Sequence, residues 1–142
     1  MKKRILIIGA CGQIGTELTL KLREINGKKA VIAADIRKGS KELTKSGPFE
    51  LVNALDYESI LKTIEKYKVT DVYLMAAMLS ATGEKYPDKA WELNMNSLFN
   101  VLNLAKEGKI KKLFWPSSIA VFGPTTPKEN TPQETVMEPS TA

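Results

Sequence analysis

Residues 9 to 15 read Gly-Ala-Cys-Gly-Gln-Ile-Gly, and twenty positions beyond the last of these glycines stands Asp35. Together they could grip a dinucleotide. Gly9 would let the chain reverse, and Gly12 would carry no side chain to hold a pyrophosphate off the backbone. Gly15 would let a following helix pack close to the preceding strand. That helix, entered through Gln13 and Ile14, would turn free N–H groups and its positive dipole end toward the phosphates. Asp35 would accept hydrogen bonds from the adenosine ribose and repel a 2′-phosphate, favouring NAD over NADP. Arg37 works the other way, because a nearby arginine can hold that phosphate. The spacing is GxxGxxG, not the dehydrogenase-type GxGxxG, and tight turns in an α/β protein that binds nothing are the alternative.

The motif needs a buried strand before it, a helix after it and a second strand ending at the acid. The chain supplies all three. Residues 4–9 are a continuous apolar run, as in a strand buried on both faces. Ile14, Leu18, Leu22 and Ile25 recur at helical spacing, with Gly27 as the stop. Residues 30–35 form the second strand, 38–48 read as loop, and 49–54 form a short third strand. Asp56 caps a helix with Ile60, Ile64 and Tyr67 on its apolar side. Residues 71–77 are a fourth strand and 110–117 a fifth. Between these two, Pro87 and Asp88 open a longer helix that runs to Ala105 and is closed by Gly108. Its apolar set is wide, with Trp91, Met95, Leu98 and Leu102 on one side and Phe99 and Val101 on others. Such a helix would cover a sheet and also meet a partner chain. Strands alternating with helices imply parallel pairing and right-handed crossovers, hence an α/β fold: a doubly wound parallel sheet of Rossmann type, in the order 3-2-1-4-5. The expected division is a dinucleotide-binding domain over 1–123 and an extended tail over 124–142, where Pro124, Pro127, Pro132 and Pro139 forbid regular helix.

Composition removes several other chemistries. There is no histidine, so His-dependent triads and most zinc sites are out, and no metal is expected. Cys11 is the sole cysteine, so no intrachain disulfide can form, which fits a reducing compartment and a cytoplasmic location. The 21 basic and 16 acidic residues give a net charge of +5, but the basic clusters sit at strand ends without interleaved aromatics. They read as solvated ends and not as a nucleic-acid surface. The run Ile5–Ile8 is too short to span a membrane.

In GACGQIG at 9–15, Asp35, the MAA of 75–77, Asn94 in NMNSLFNVL and PSSIAVFG at 116–123, the chain resembles the extended short-chain dehydrogenase/reductase family over essentially its whole length. The stretches LSATGEKYPDKAWELNMNSLFNVLNLAKE and FWPSSIAVFGPTTPKENTPQ resemble the NAD-dependent L-threonine 3-dehydrogenases within it. The resemblance implies that Gly9, Gly12, Gln13, Ile14 and Gly15 wrap the pyrophosphate of NAD. It implies that Asp35, with Ile36 and Arg37, holds the adenosine ribose. Asn53 and Ala54 stand where the family contacts adenine, although the family usually has Asp at the first. Leu74, Met75, Ala76 and Ala77 would line the nicotinamide-side ribose through their backbone. Asn94 would lie near the cofactor, or else bond backbone at the joint of sheet and helix. Ser118 matches the family's catalytic Ser/Thr. If Ser117 and Ser118 lie in a strand, alternation lets one of them face a ligand. Ser80 would hold the amino acid, or is a plain loop serine. Trp91 and Trp115 read as core or interface, and Cys11 as a small packing residue.

Oxidising an alcohol also needs a base, and this family uses a tyrosine activated by a lysine four residues on. The four tyrosines are followed at that distance by Leu61, Asp71, Ala77 and Ala90. The expected activity is therefore that of a parent enzyme converting L-threonine to 2-amino-3-oxobutanoate. This chain would be its N-terminal part, ending before the Tyr-x-x-x-Lys, the sixth strand and the substrate half. A sugar-nucleotide epimerase or dehydratase, and a non-catalytic NAD-binding or scaffold protein, are the alternatives. An uncovered sheet edge and the apolar helix face would favour a homodimer or another homo-oligomer.

Overall fold

The computed structural model describes residues 3–78 and 80–140, apart from the side chain of Ser80. Five strands, β1 (Ile5–Ile8), β2 (Val31–Asp35), β3 (Phe49–Leu51), β4 (Asp71–Leu74) and β5 (Lys112–Phe114), form one parallel sheet in the order β3-β2-β1-β4-β5. The central register runs Ile5↔Val31 on one side of β1 and Ile5↔Asp71 on the other. Every residue of β1 is buried, as its unbroken apolar run requires. Leu6 and Ile8 point to one face, where α3 (Tyr57–Tyr67) and α6 (Ser97–Lys106) cover them with Ile60, Ile64, Leu98, Val101 and Leu104. Ile5 and Ile7 point to the other, where Leu18 and Leu22 of α1 (Gln13–Asn26) pack. Helices thus flank both faces.

Several local expectations need correction. The strands are shorter than the apolar runs, because their ends turn away to make the loops at the carboxyl edge. On α1 the apolar stripe is half real: Ile14 and Ile25 are 67% and 66% exposed, and the buried positions are Gly15, Thr19 and Arg23. Residues 38–48 hold a helix, α2 (Lys41–Ser46), with Ser40 accepting from the Leu43 N–H at its start. Six residues with one buried apolar side chain, Leu43, carry no readable periodicity.

Arg23 holds α2 in place. Its guanidinium is buried without a carboxylate and donates to the carbonyls of Val31, Leu43 and Pro48 and to Ser46 Oγ. Burial lowers its pKa, and the carbonyl acceptors are what keep the charge tolerable.

The loop after β4 contains a short helix, α4 (Ser80–Lys85). The long helix expected next is a continuous helical path from Pro87 to Lys106 broken by a π-helical segment, Glu92–Asn96, between α5 (Pro87–Trp91) and α6. A π turn takes more residues per turn, so positions before and after it leave a common face. Trp91, before the π segment, is accordingly exposed while Leu98, after it, is buried. Within α6 the buried face is Ser97, Leu98, Val101 and Leu104, which leaves Phe99 and Leu102 exposed.

Beyond β5 the described residues form no further strand. Tyr73 and Phe114 stack at 5.3 Å on the face of α1, and Phe114 stays half exposed. A turn of 3₁₀ helix, Ile119–Val121, leads into a loop that returns on itself. The Glu138 N–H donates to Val121 O at 3.0 Å. Thr126 Oγ1 accepts from the Gly123 N–H at 3.0 Å and donates to Val136 O at 2.7 Å. Thr126 is the one buried residue among those described beyond Ile110, so a hydroxyl, not an apolar core, closes this proline-rich loop.

Arg23→Met removes the hydrogen bonds donated to Val31 O, Leu43 O, Pro48 O and Ser46 Oγ and is expected to destabilise the chain by about 3 kcal/mol, with Arg23→Lys recovering a minor part; urea unfolding measures both. Thr126→Val should speed amide exchange at Gly123 and Glu138 by roughly tenfold or more, since each hydrogen bond is worth about 1 kcal/mol, while Thr126→Ser keeps it slow. Unchanged exchange in the valine variant would show that the hydroxyl does not close the loop.

Candidate dinucleotide site

In a parallel sheet every strand ends at the same edge. Here that edge carries, in spatial order, Asn53 and Ala54 after β3, Asp35 ending β2, the glycine turn after β1, Met75 to Ala77 after β4, and Ser118 beyond β5. Strand spacing makes this a row of roughly 19 Å, with the change of winding direction between β1 and β4. Open α/β sheets bind ligands in the crevice at such a point.

The glycines differ in what they do. Gly9 has φ +91°, and a Cβ there would lie 2.5 Å from Ala76 N. A Cβ on Gly15 would lie 2.2 Å from Gly9 O, so the helix packs on the turn itself. At Gly12 a Cβ would meet nothing nearer than Gly9 O at 3.4 Å. The fold tolerates a methyl group there, and the space in front of Gly12 is left to a ligand. Gly12 also caps α1 with no side-chain hydrogen bond, leaving the first N–H groups of the helix free of a protein cap. Gln13 and Ile14 are exposed beside them. The turn fits a pyrophosphate.

Asp35 is buried, 5% exposed, and tied to that turn. Its Oδ2 accepts from the Cys11 N–H at 2.9 Å. Its Oδ1 accepts from the Arg37 N–H at 3.0 Å and from Arg37 Nε at 3.2 Å. Burial pushes its pKa up, but the backbone donors of Arg37 and Cys11 and the guanidinium outweigh it, so the carboxyl is held below its ordinary value. Ile36 and Arg37 are exposed next to it. Burial first, and then the Asp35 charge, push the Cys11 thiol up, which fits a packing residue.

The other candidates fall into place unequally. Asn53 is exposed, and its Oδ1 accepts from the Leu55 N–H, while Asn100 Nδ2 donates to Ala54 O. Leu74 is fully buried in the core, Met75 N–H donates to Ile8 O, and Ala77 reaches the surface. Asn94 sits in the π segment, and its side chain pairs with one residue twice: Oδ1 accepts from the Met78 N–H at 2.8 Å and Nδ2 lies 3.4 Å from Met78 O. It tethers the segment after β4, as the joint-of-sheet-and-helix alternative has it. Ser117 and Ser118 lie past the end of β5, so strand alternation does not sort them. Both are exposed, and Ser118 Oγ accepts from the Ala120 N–H. The Ser80 side chain lies outside the described residues. No tyrosine is poised as a base: Tyr57 donates to Glu107, which pushes it up to about 12, and Tyr67 donates to Glu50, which also raises it. Sequence reasoning missed Cys11 N–H and the Arg37 pairing, which depend on where two distant segments meet.

Among the described residues no group of acids, histidines and cysteines could hold a metal ion, and no helix is long and apolar enough to cross a membrane. Comparison with known proteins agrees with the edge geometry. An uncharacterized epimerase/dehydratase of Staphylococcus saprophyticus is 48% identical over 139 residues, 97% of this chain and 43% of that protein. A partial-consensus L-threonine 3-dehydrogenase superposes with a TM-score of 0.92 at 55% identity, covering 97% of this chain and 44% of that one. The holo form of a GalE-like L-threonine dehydrogenase from Cupriavidus necator gives 0.92 at 51%, covering 97% and 45%. The chain therefore spans less than half the length of these relatives. The profile of the NAD dependent epimerase/dehydratase family matches residues 5–142, and the chain belongs to that family, with NAD as its cofactor.

Proposed function

We propose that these residues are the cofactor-binding part of an enzyme that oxidises L-threonine to 2-amino-3-oxobutanoate with NAD. The observation that carries this is the row along the carboxyl edge, combined with 45–55% identity to several L-threonine dehydrogenases of solved structure. Adenine would lie by Asn53 and Ala54, its ribose by Asp35, Ile36 and Arg37, and the pyrophosphate over Gly9, Gly12, Gln13, Ile14 and Gly15. The second ribose would lie against the backbone of Leu74, Met75, Ala76 and Ala77, steadied by Asn94. Bound along this edge, NAD would supply the acceptor for a hydride from threonine C3. Ser118 Oγ would donate a hydrogen bond to the threonine 3-oxygen and Ser80 would hold the amino acid. The proton of that hydroxyl goes to a base that none of the four tyrosines here provides, so these 142 residues alone are expected to show no turnover. Epimerisation of a nucleotide-sugar is the second reading, supported by the family to which the chain belongs.

The site can be tested by binding alone. Gly12→Ala should keep the fold, costing about 1 kcal/mol at the helix cap, and abolish NAD binding in calorimetry, because the methyl group occupies the space left to the pyrophosphate. Retained affinity would sink the placement of the phosphates. Asn94→Ala should weaken NAD roughly tenfold through loss of the Met78 tether. Because Asp35 has its pKa lowered on folding, its contribution to stability is present above its unfolded value, about 3.9, and is lost as the pH falls through the lower folded value. Acid unfolding of wild type against Asp35→Asn measures this: the stability gap between them should close below that pH.

A further inference from the structure

One amide reaches the carboxyl edge from behind. Asn100, on α6, donates from Nδ2 to Ala54 O at 3.1 Å, across 46 positions of sequence. A carbonyl oxygen can only accept, so this bond fixes which way the amide points. Its support is firm. Leu98, Val101 and Leu104 of the same helix are buried against the sheet, and Asn100 itself is half-buried.

Ala54 lies in the loop that follows β3, residues 52–56. The bonds inside that loop are local. Asn53 Oδ1 accepts from the Leu55 N–H at 3.0 Å, as in an Asx turn, and Asn53 O accepts from the Asp56 N–H at 3.0 Å. They set the shape of the loop but would survive if it swung as a body. Two hydrogen bonds decide its heading. At its start the Val52 N–H donates to Asp35 O at 3.0 Å, and in its middle Ala54 O meets Asn100. The side chains of Val52 and Ala54 are buried in the core, but such contacts are non-directional and leave the rotation of the loop open. The helical path that carries Asn100 also carries Asn94, whose amide holds Met78 after β4. Loops from both flanks of the crevice are thus hung from one element.

We propose that Asn100 is a positioning residue for the cofactor: it holds the backbone of Asn53 and Ala54 where the adenine of NAD would lie, without touching NAD itself. Without this donor the loop would be free to turn about Val52. The cofactor would then have to order it on binding, which lowers affinity. The phosphate turn would be unaffected, because it is held by Ala34 O and Asp35 instead. The proposal rests on the placement of adenine beside Asn53 and Ala54.

Two measurements on the 142-residue chain test it together: calorimetry with NAD and with 5′-ADP, and amide hydrogen exchange. Asn100→Ala should lower the affinity for both ligands by about fivefold, the equivalent of one hydrogen bond. It should speed exchange at Leu55 and Asp56 by a similar factor, and leave exchange at Cys11 in the phosphate turn unchanged. Asn100→Gln, which keeps the donor on a longer stem, should recover part of both effects. The side chain is half-buried, so the fold should survive, which circular dichroism checks. Unchanged exchange and unchanged affinity in Asn100→Ala overturn the proposal and leave the placement of adenine standing. Faster exchange with unchanged affinity shows that the loop is held by Asn100 but does not serve adenine, and overturns both. Lower affinity without faster exchange overturns positioning in favour of direct contact with the ligand. Faster exchange at Cys11 as well marks a general loosening of the fold and also overturns the proposal. Binding of neither ligand by wild type overturns it together with the site.

Discussion

Three consecutive N–H groups of the turn after β1 are bound to the end of β2. Gly9 and Ala10 both donate to Ala34 O, and Cys11 donates to Asp35 Oδ2. This arrangement ties the glycine turn to the neighbouring strand and directs the chain into α1. Gly15 can then rest on Gly9 O, where a side chain would clash. The same bonds keep a buried carboxylate ionised, since its charge is met by amide donors and a guanidinium before any ligand arrives. The phosphate loop, the helix entry and the ribose acid are one hydrogen-bonded unit.

The far end of the crevice is organised by a different device. Where an α-helix would carry Asn94 past the sheet in a regular spiral, the π segment changes its heading, and both ends of its amide meet the backbone of Met78. π-bulges are frequent at functional sites for this kind of reason: they aim one side chain at the cost of helix regularity. The chain leaving β4 is thereby held from two sides, by Ile8 O at Met75 and by Asn94 at Met78. Farther along, Thr126 closes the loop beyond Ser118 with a hydroxyl that serves as both acceptor and donor.

The amino-acid order carries a good deal of this. The apolar run 5–8, the glycines at 9, 12 and 15 and the acid at 35 determine a βαβ unit with its phosphate turn, because only a strand buried on both faces tolerates such a run and only glycine tolerates those approaches. Alternating strands and helices determine the parallel order 3-2-1-4-5 through the handedness of the crossovers. Local pattern fails where the controlling contact is distant. α2 is invisible because it is held by Arg23 from another helix. The apolar stripe of residues 91–102 misleads because a π turn rotates Trp91 away from Leu98, and because α6 turns Val101 and Leu104, not Leu102, to the sheet. The charge state and remaining acceptor capacity of Asp35 also belong to the tertiary structure alone: they depend on Cys11, 24 residues away, and on the fold of Arg37 back onto Oδ1. Sequence determines which groups are present at the carboxyl edge, since side-chain types and strand order are local and topological matters. Which of those groups are already bonded, and so what they can still offer a ligand, is decided by the packing of segments far apart in the chain.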